Sequence, residues 1–111
     1  MALSFSNAMA SLTAGVQSTI YTAPVDTSAT VFGMSVANTS ANPGLVDVLV
    51  GSTGTMKYLV KGAPLPVGGT LIAIGGSQKV VLIAGQKIDV VVNNGAVGAV
   101  TADVVSSFML Q

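Results

Sequence analysis

The chain has 111 residues, half of them hydrophobic, which is material for one domain and one core. Only 7% are charged, against about 25% in an average domain; Lys57, Lys61, Lys79 and Lys87 balance Asp26, Asp47, Asp89 and Asp103, and Arg, Glu, His, Cys and Trp are absent. Those absences exclude a zinc finger, a disulfide framework, a Cys or His nucleophile or relay, and a basic patch for a phosphate backbone.

In chain order, residues 1–15 spread Leu3, Phe5, Met9 and Leu12 among Ser, Ala and Asn without a clear period. They read as an N-terminal arm, either frayed or ordering on a partner. Residues 16–111 read as one domain. Turn signals arrive every eight to twelve residues and β-branched residues fill the gaps, the pattern of an all-β sandwich or barrel. Strands are expected over Gln17–Thr22, Thr30–Asn38, Leu45–Val50 and Thr55–Lys61, with Gly51-Ser52-Thr53-Gly54 closing a hairpin between the last two. Pro64-Leu65-Pro66 sits in a stiff link over Gly62–Gly69, because two prolines remove two donors and bar a central strand. It serves as a rigid crossover or as a partner contact. Further strands are expected over Thr70–Ile74, stopped by Gly75-Gly76, and over Gln78–Ile83, Lys87–Val92 and Ala99–Leu110. Asn93-Asn94-Gly95 offers the positive-φ positions of a tight hairpin turn. The fold expected is thus a single antiparallel β-sandwich, jelly-roll-like, of about eight strands with a short N-terminal arm.

A folded monomer of this mass exposes roughly 5,600 Å². Eight charges then amount to about one per 700 Å², where an average composition places one per about 200 Å². A surface so poor in charge, at zero net charge, favours covering by other protein. Several strands also carry apolar residues on both faces, as strands buried from both sides do. The mean hydropathy of +0.76 does not come from a spanning helix. The strongest run, Val80-Val81-Leu82-Ile83-Ala84, is far shorter than the about 20 residues required. Two Tyr and three Phe cannot girdle a membrane barrel. The first fourteen residues lack the basic and continuous apolar regions of a signal peptide, so an intracellular product is expected.

The constellations that could carry chemistry are weak. Gly51–Lys57 lacks the order of a phosphate loop and lies between strands. Asp47, Asp89 and Asp103 are each solitary, as strand residues facing solvent or paired with Lys are. Lys87 and Asp89, two apart on one strand, suit such a pair. Tyr21 and Tyr58 are too few and too scattered for a sugar platform. Asn38-Thr39-Ser40 matches a glycosylation sequon but fits the end of a strand. No catalytic, cofactor-binding or metal-ligating residue is expected, and no cofactor.

Three stretches resemble the small virion structural proteins of tailed phages. They are Ile20–Pro24 with Val31–Thr39, then Tyr58–Leu71, then Leu82–Val90. The likeness is to the capsid decoration (cement) type and to related tail or neck accessory proteins, over about residues 16–110. It implies a β-sandwich subunit, often a homotrimer, attached to a capsid or tail lattice, and it carries no catalytic residues. The partners it implies are further copies of the chain and the major capsid protein or other virion proteins; composition and hydropathy lead to the expectation of no nucleic acid and no membrane. The protein is then made in the host cytoplasm and ends in the virion. Competing readings are a neck, tail-fibre-base or baseplate subunit and, in another class, a host-surface or carbohydrate-binding module. Candidate partner contacts are Leu3, Phe5, Met9 and Leu12 in the arm and Pro64, Leu65 and Pro66 in the link.

Overall fold

The computed structural model describes residues 4–75, 78–95 and 98–111. Leu3, Gly76 and the other residues of 1–3, 76–77 and 96–97 lie outside the described residues. Nine strands are present among the described residues: β1 (Ser4–Thr13), β2 (Gln17–Thr22), β3 (Ala29–Asn38), β4 (Gly44–Gly51), β5 (Lys57–Leu65), β6 (Thr70–Ile74), β7 (Val80–Leu82), β8 (Lys87–Asn94) and β9 (Thr101–Leu110). All pairings are antiparallel. One sheet, here sheet A, runs β1-β9-β3-β6, with β7 also on β3; the other, sheet B, runs β2-β8-β4-β5. If β6 and β7 count as one interrupted strand, this is an eight-stranded sandwich in jelly-roll order: the chain alternates between sheets except at the β4–β5 hairpin, and the last strands lie beside the first. No helix among the described residues is long and apolar enough to cross a membrane.

Alternation builds the core. On sheet B, Val46, Val48, Ile88, Val90 and Val92 point inward and are wholly buried. On sheet A, Val31, Val36, Val104 and Phe108 meet them. Tyr21 lies against Phe108 with ring centroids 4.0 Å apart, which seals one end of the layer. The β-branched side chains suit a pleated surface.

Three segments depart from expectation. The first fifteen residues contribute β1, which pairs residue for residue with β9 from Ser4↔Leu110 to Thr13↔Thr101. Ala8, Ala10 and Leu12 point inward and Leu12 is buried in the core. Alanine and serine hid that alternation. Strand β5 runs on through Gly62 to Leu65, past the expected end at Lys61. Gly62 takes φ +66°, and its N–H donates to the Asp47 carboxylate at 2.7 Å, so a bulge re-aims the strand rather than ending it. Pro64 is tolerated because β5 is an edge strand. Asn93-Asn94-Gly95 does not close a hairpin: β8 belongs to sheet B and β9 to sheet A, so the chain crosses between sheets there. The strand expected over Gln78–Ile83 shortens to β7.

Residues of β1 and β9 with opposite orientations should separate core from surface. Phe108→Ala should cost about 3–5 kcal/mol in urea unfolding and Leu12→Ala about 2–5 kcal/mol, whereas Val105→Ala should cost less than about 1 kcal/mol. A negligible cost for Leu12→Ala would mean that β1 is not part of the cooperative unit.

Candidate interaction face

The strand period that fills the core also assigns the outer faces, and the two differ in chemistry. The outer face of sheet B collects ions. On β4 and β8 it carries Asp47 and Asp89, which lie beneath longer neighbours and are almost fully buried, at 6% and 2% exposure. Buried carboxylates need partners. Asp47 Oδ1 accepts the Gly62 N–H, Asp47 Oδ2 accepts Asn93 Nδ2 at 3.3 Å, and Lys61 Nζ stands 3.6 Å away. Lys61 lies over the Tyr58 ring, 4.6 Å from its centroid. Tyr58 and then Asp47 hold the Lys61 ammonium above its ordinary pKa, so it keeps its charge. Asp89 Oδ2 accepts Gln17 Nε2 at 2.7 Å and faces Lys87 Nζ at 3.6 Å. Its Oδ1 has no partner among the described residues. The cross-strand and same-face Asp–Lys pairs expected from sequence are therefore present, but on carboxylates that are enclosed rather than facing solvent.

The outer face of sheet A carries large apolar side chains among Ser, Thr and Asn. Phe5 on β1 is 74% exposed, Met9 on β1 71% and Ile72 on β6 63%. Val81 on β7, Val105 on β9 and Phe32 on β3 complete the patch. Phe5 meets Phe32 edge to face, centroids 6.1 Å apart. Among the described strand residues of this sheet, Asp103 is the one ionised side chain, and it accepts a 3.0 Å hydrogen bond from Ser11. Two shallow grooves flank Val105. One of about 320 Å³ is lined by Met9, Ala10, Ser11, Asp103, Val104 and Val105. The other, about 240 Å³, lies along Gly33, Ser35, Ile72 and Ser107. Open furrows between flat strands fit protein side chains better than a small molecule, which prefers an enclosing cleft.

The residues singled out from sequence divide between these regions. Phe5 and Met9 stand on the apolar face. Leu12 and Leu65 are not surface residues; both point into the core, Leu12 from β1 and Leu65 from the end of β5, because their neighbours Met9, Pro64 and Pro66 take the opposite or exposed positions. Pro64 and Pro66 are exposed at the far edge of sheet B. Phe32, Ile72, Val81 and Val105 carry no mark in the sequence, since each stands beside a buried apolar neighbour on its own strand. Asp47 and Asp89 share the outer face of sheet B, while Asp103 lies on the opposite side of the sandwich. Tyr21 is inside and Tyr58 outside, so they form no common platform. Asn38 uses its whole side chain to close the β3–β4 turn: Nδ2 donates to Asn42 O and Leu65 O, and Oδ1 accepts from Ser40 N and Oγ.

No family model matches the chain, and no curated protein matches it. Solved structures do. A protein of Bacillus endospore appendages, which form a novel family of disulfide-linked pili, superposes at TM-score 0.55 with 14% identity over 96% of this chain and 86% of that one. A protein of infectious bursal disease virus, Gt strain, superposes at TM-score 0.55 with 11% identity. It aligns with 97% of this chain, which spans only 31% of the viral one. A chain of the cyanophage Pam1 capsid gives TM-score 0.40 at 17% identity over 96% of this chain and 84% of that one, too low to bear weight. At such identities the likeness establishes a shared sandwich fold.

The two ion pairs should respond differently to loss of the cation. Lys87→Met leaves the enclosed Asp89 carboxylate with Gln17 alone and should cost about 3–5 kcal/mol. Lys61→Met removes an exposed partner and should leave the urea midpoint nearly unchanged. Equal effects would contradict the burial described.

Proposed function

We propose that the chain is a non-enzymatic structural subunit of a virion. In the finer form of the reading it is a capsid decoration protein, made in the host cytoplasm and bound across capsomers. The observation that supports it is the outer face of sheet A, where exposed Phe5, Met9, Ile72 and Val105 share a surface with one charge among its described strand residues, while the outer face of sheet B carries the two ion pairs. Large apolar side chains gathered exposed on one face mark sites of protein interaction. Of the proteins sharing the fold, one forms pili and another belongs to a virus. The absence of cysteine sets this chain apart from disulfide linkage of the pilus kind.

Decoration acts by mass action. A subunit that binds only the assembled shell stabilises that shell. Contact through Phe5, Met9, Ile72 and Val105 relies on shape and apolar burial, so its strength varies little with ionic strength. A homotrimer assembled on the shell, with further copies and the major capsid protein as partners, completes the proposal.

The test uses particles purified on a density gradient from cells carrying the gene. The chain should band with the particles, appear as density over the shell, and remain bound from about 50 to about 500 mM salt. Density confined to the tail vertex would favour a neck, tail-fibre-base or baseplate subunit instead. A chain that stays in the soluble fraction, or leaves the particle as salt rises, would overturn the decoration reading.

A further inference from the structure

The sandwich has four edges, and three of them carry features that obstruct further strand pairing. Strand β5 bears Lys57, Lys61 and Pro64 and shifts register twice against β4. Strand β2 has six residues and a bulge between Thr19 and Tyr21. The remaining edge of sheet A is divided between the five residues of β6 and the three of β7. Short length, Lys, Pro and bulges are the devices by which edges are blunted.

Strand β1 has none of them. Its ten residues, Ser4–Thr13, contain no charge, no Pro and no Gly, and pair with β9 without a register shift. Its outward backbone groups can be assigned. Ala14 N donates to Val100 O at 3.2 Å, next in register after Thr13↔Thr101. Antiparallel hydrogen-bonded pairs alternate with non-bonded ones. Even-numbered β1 residues therefore bond β9, while Phe5, Asn7, Met9, Ser11 and Thr13 turn their N–H and C=O groups away from the sheet. The bond from Thr39 N to Thr101 O fits the same phase, since it gives odd-numbered β9 residues to β3.

We propose that this edge pairs antiparallel with β1 of a second copy about a two-fold axis at Met9. That register sets Phe5 against the partner's Thr13, Asn7 against its Ser11 and Met9 against its Met9. It engages all five outward residues of each copy, whereas a dyad two residues nearer the start would pair only Phe5, Asn7 and Met9 within the described strand. No charge opposes a like charge. The two Asp103 carboxylates would lie about 20 Å apart by strand spacing and rise, well beyond a Debye length. The axis is perpendicular to the sheet, so both apolar outer faces look the same way and join into one continuous surface. This pairing is independent of the virion reading. A three-fold assembly would use other, head-to-tail surfaces, leaving the edge to link one assembly to the next.

The test is sedimentation of the pure chain across a concentration series. The wild type should show a reversible monomer–dimer step, and Asn7→Pro should raise the dimer Kd by about tenfold or more. That substitution removes an outward N–H and no bond to β9. Ala8→Pro, which does remove one, should lower the melting temperature instead. Met9→Lys and Met9→Asp should each be monomeric alone and should dimerise when mixed, because like charges then give way to opposite ones at the axis. Because the protein lacks cysteine, Met9→Cys should cross-link to itself with a short bismaleimide faster than Thr13→Cys. An unchanged Kd for Asn7→Pro, a mixture of the two Met9 variants that stays monomeric, or equal cross-linking at 9 and 13 would each overturn the proposal. None of these results bears on whether the chain bands with virions.

Discussion

In a two-layer sandwich the inward residues of each strand fix what its outward residues can be. Here Val46, Val48, Val90 and Val92 on one sheet and Val31, Val36, Val104 and Phe108 on the other occupy the inside. Everything at the intervening positions belongs to an outer face. With a period of two there is no third option, and a slip of one residue would exchange core and surface along a whole strand. The alternation therefore holds the fold together and also sorts the few charges and the surplus apolar residues between two surfaces.

That sorting gives the molecule two unlike sides. Sheet B bears Asp47 and Asp89, each enclosed and each matched by a lysine, an amide side chain or a backbone N–H. Its edge strand β5 is bulged, lysine-bearing and proline-bearing. Sheet A bears Phe5, Met9, Ile72 and Val105 on its outer face and ends in the uncharged strand β1. The features that discourage association lie mainly on one sheet and those that permit it on the other. Such a division suits a subunit that attaches by one face.

Much of this architecture was readable from the residues. The bounds of β2 and β6 follow directly from Ala23-Pro24 and Gly75, since these stops are local. The segments that misled depend on distant partners. Gly62 continues β5 because the carboxylate of Asp47, fifteen residues earlier, accepts its N–H. Asn93-Asn94-Gly95 has the residues of a tight turn, but the strand that follows joins the other sheet. Strand β1 was obscured because Ala8 and Ala10 are weakly apolar and Ser and Asn fill the positions between. At the candidate face, Phe5 and Met9 stood out as large residues in a small-residue background. Ile72 did not, because in a short strand apolar on both sides nothing local marks which side is core, and Val105 did not, because Val104 beside it is the same residue type. Leu12 and Leu65 point inward because alternation sets them opposite exposed neighbours.

The central claim is that protein covers the outer face of sheet A in the working state. Oxidative footprinting of the free chain and of purified particles tests it most directly, with Met109 on that face, one strand in from the β1 edge, and Met56 beside sheet B as reporters. Sulfoxide formation at Met109 should be lower in particles than in the free chain while that at Met56 holds steady. Equal oxidation of Met109 in the two samples would mean that the face remains open to water, and the account would be wrong.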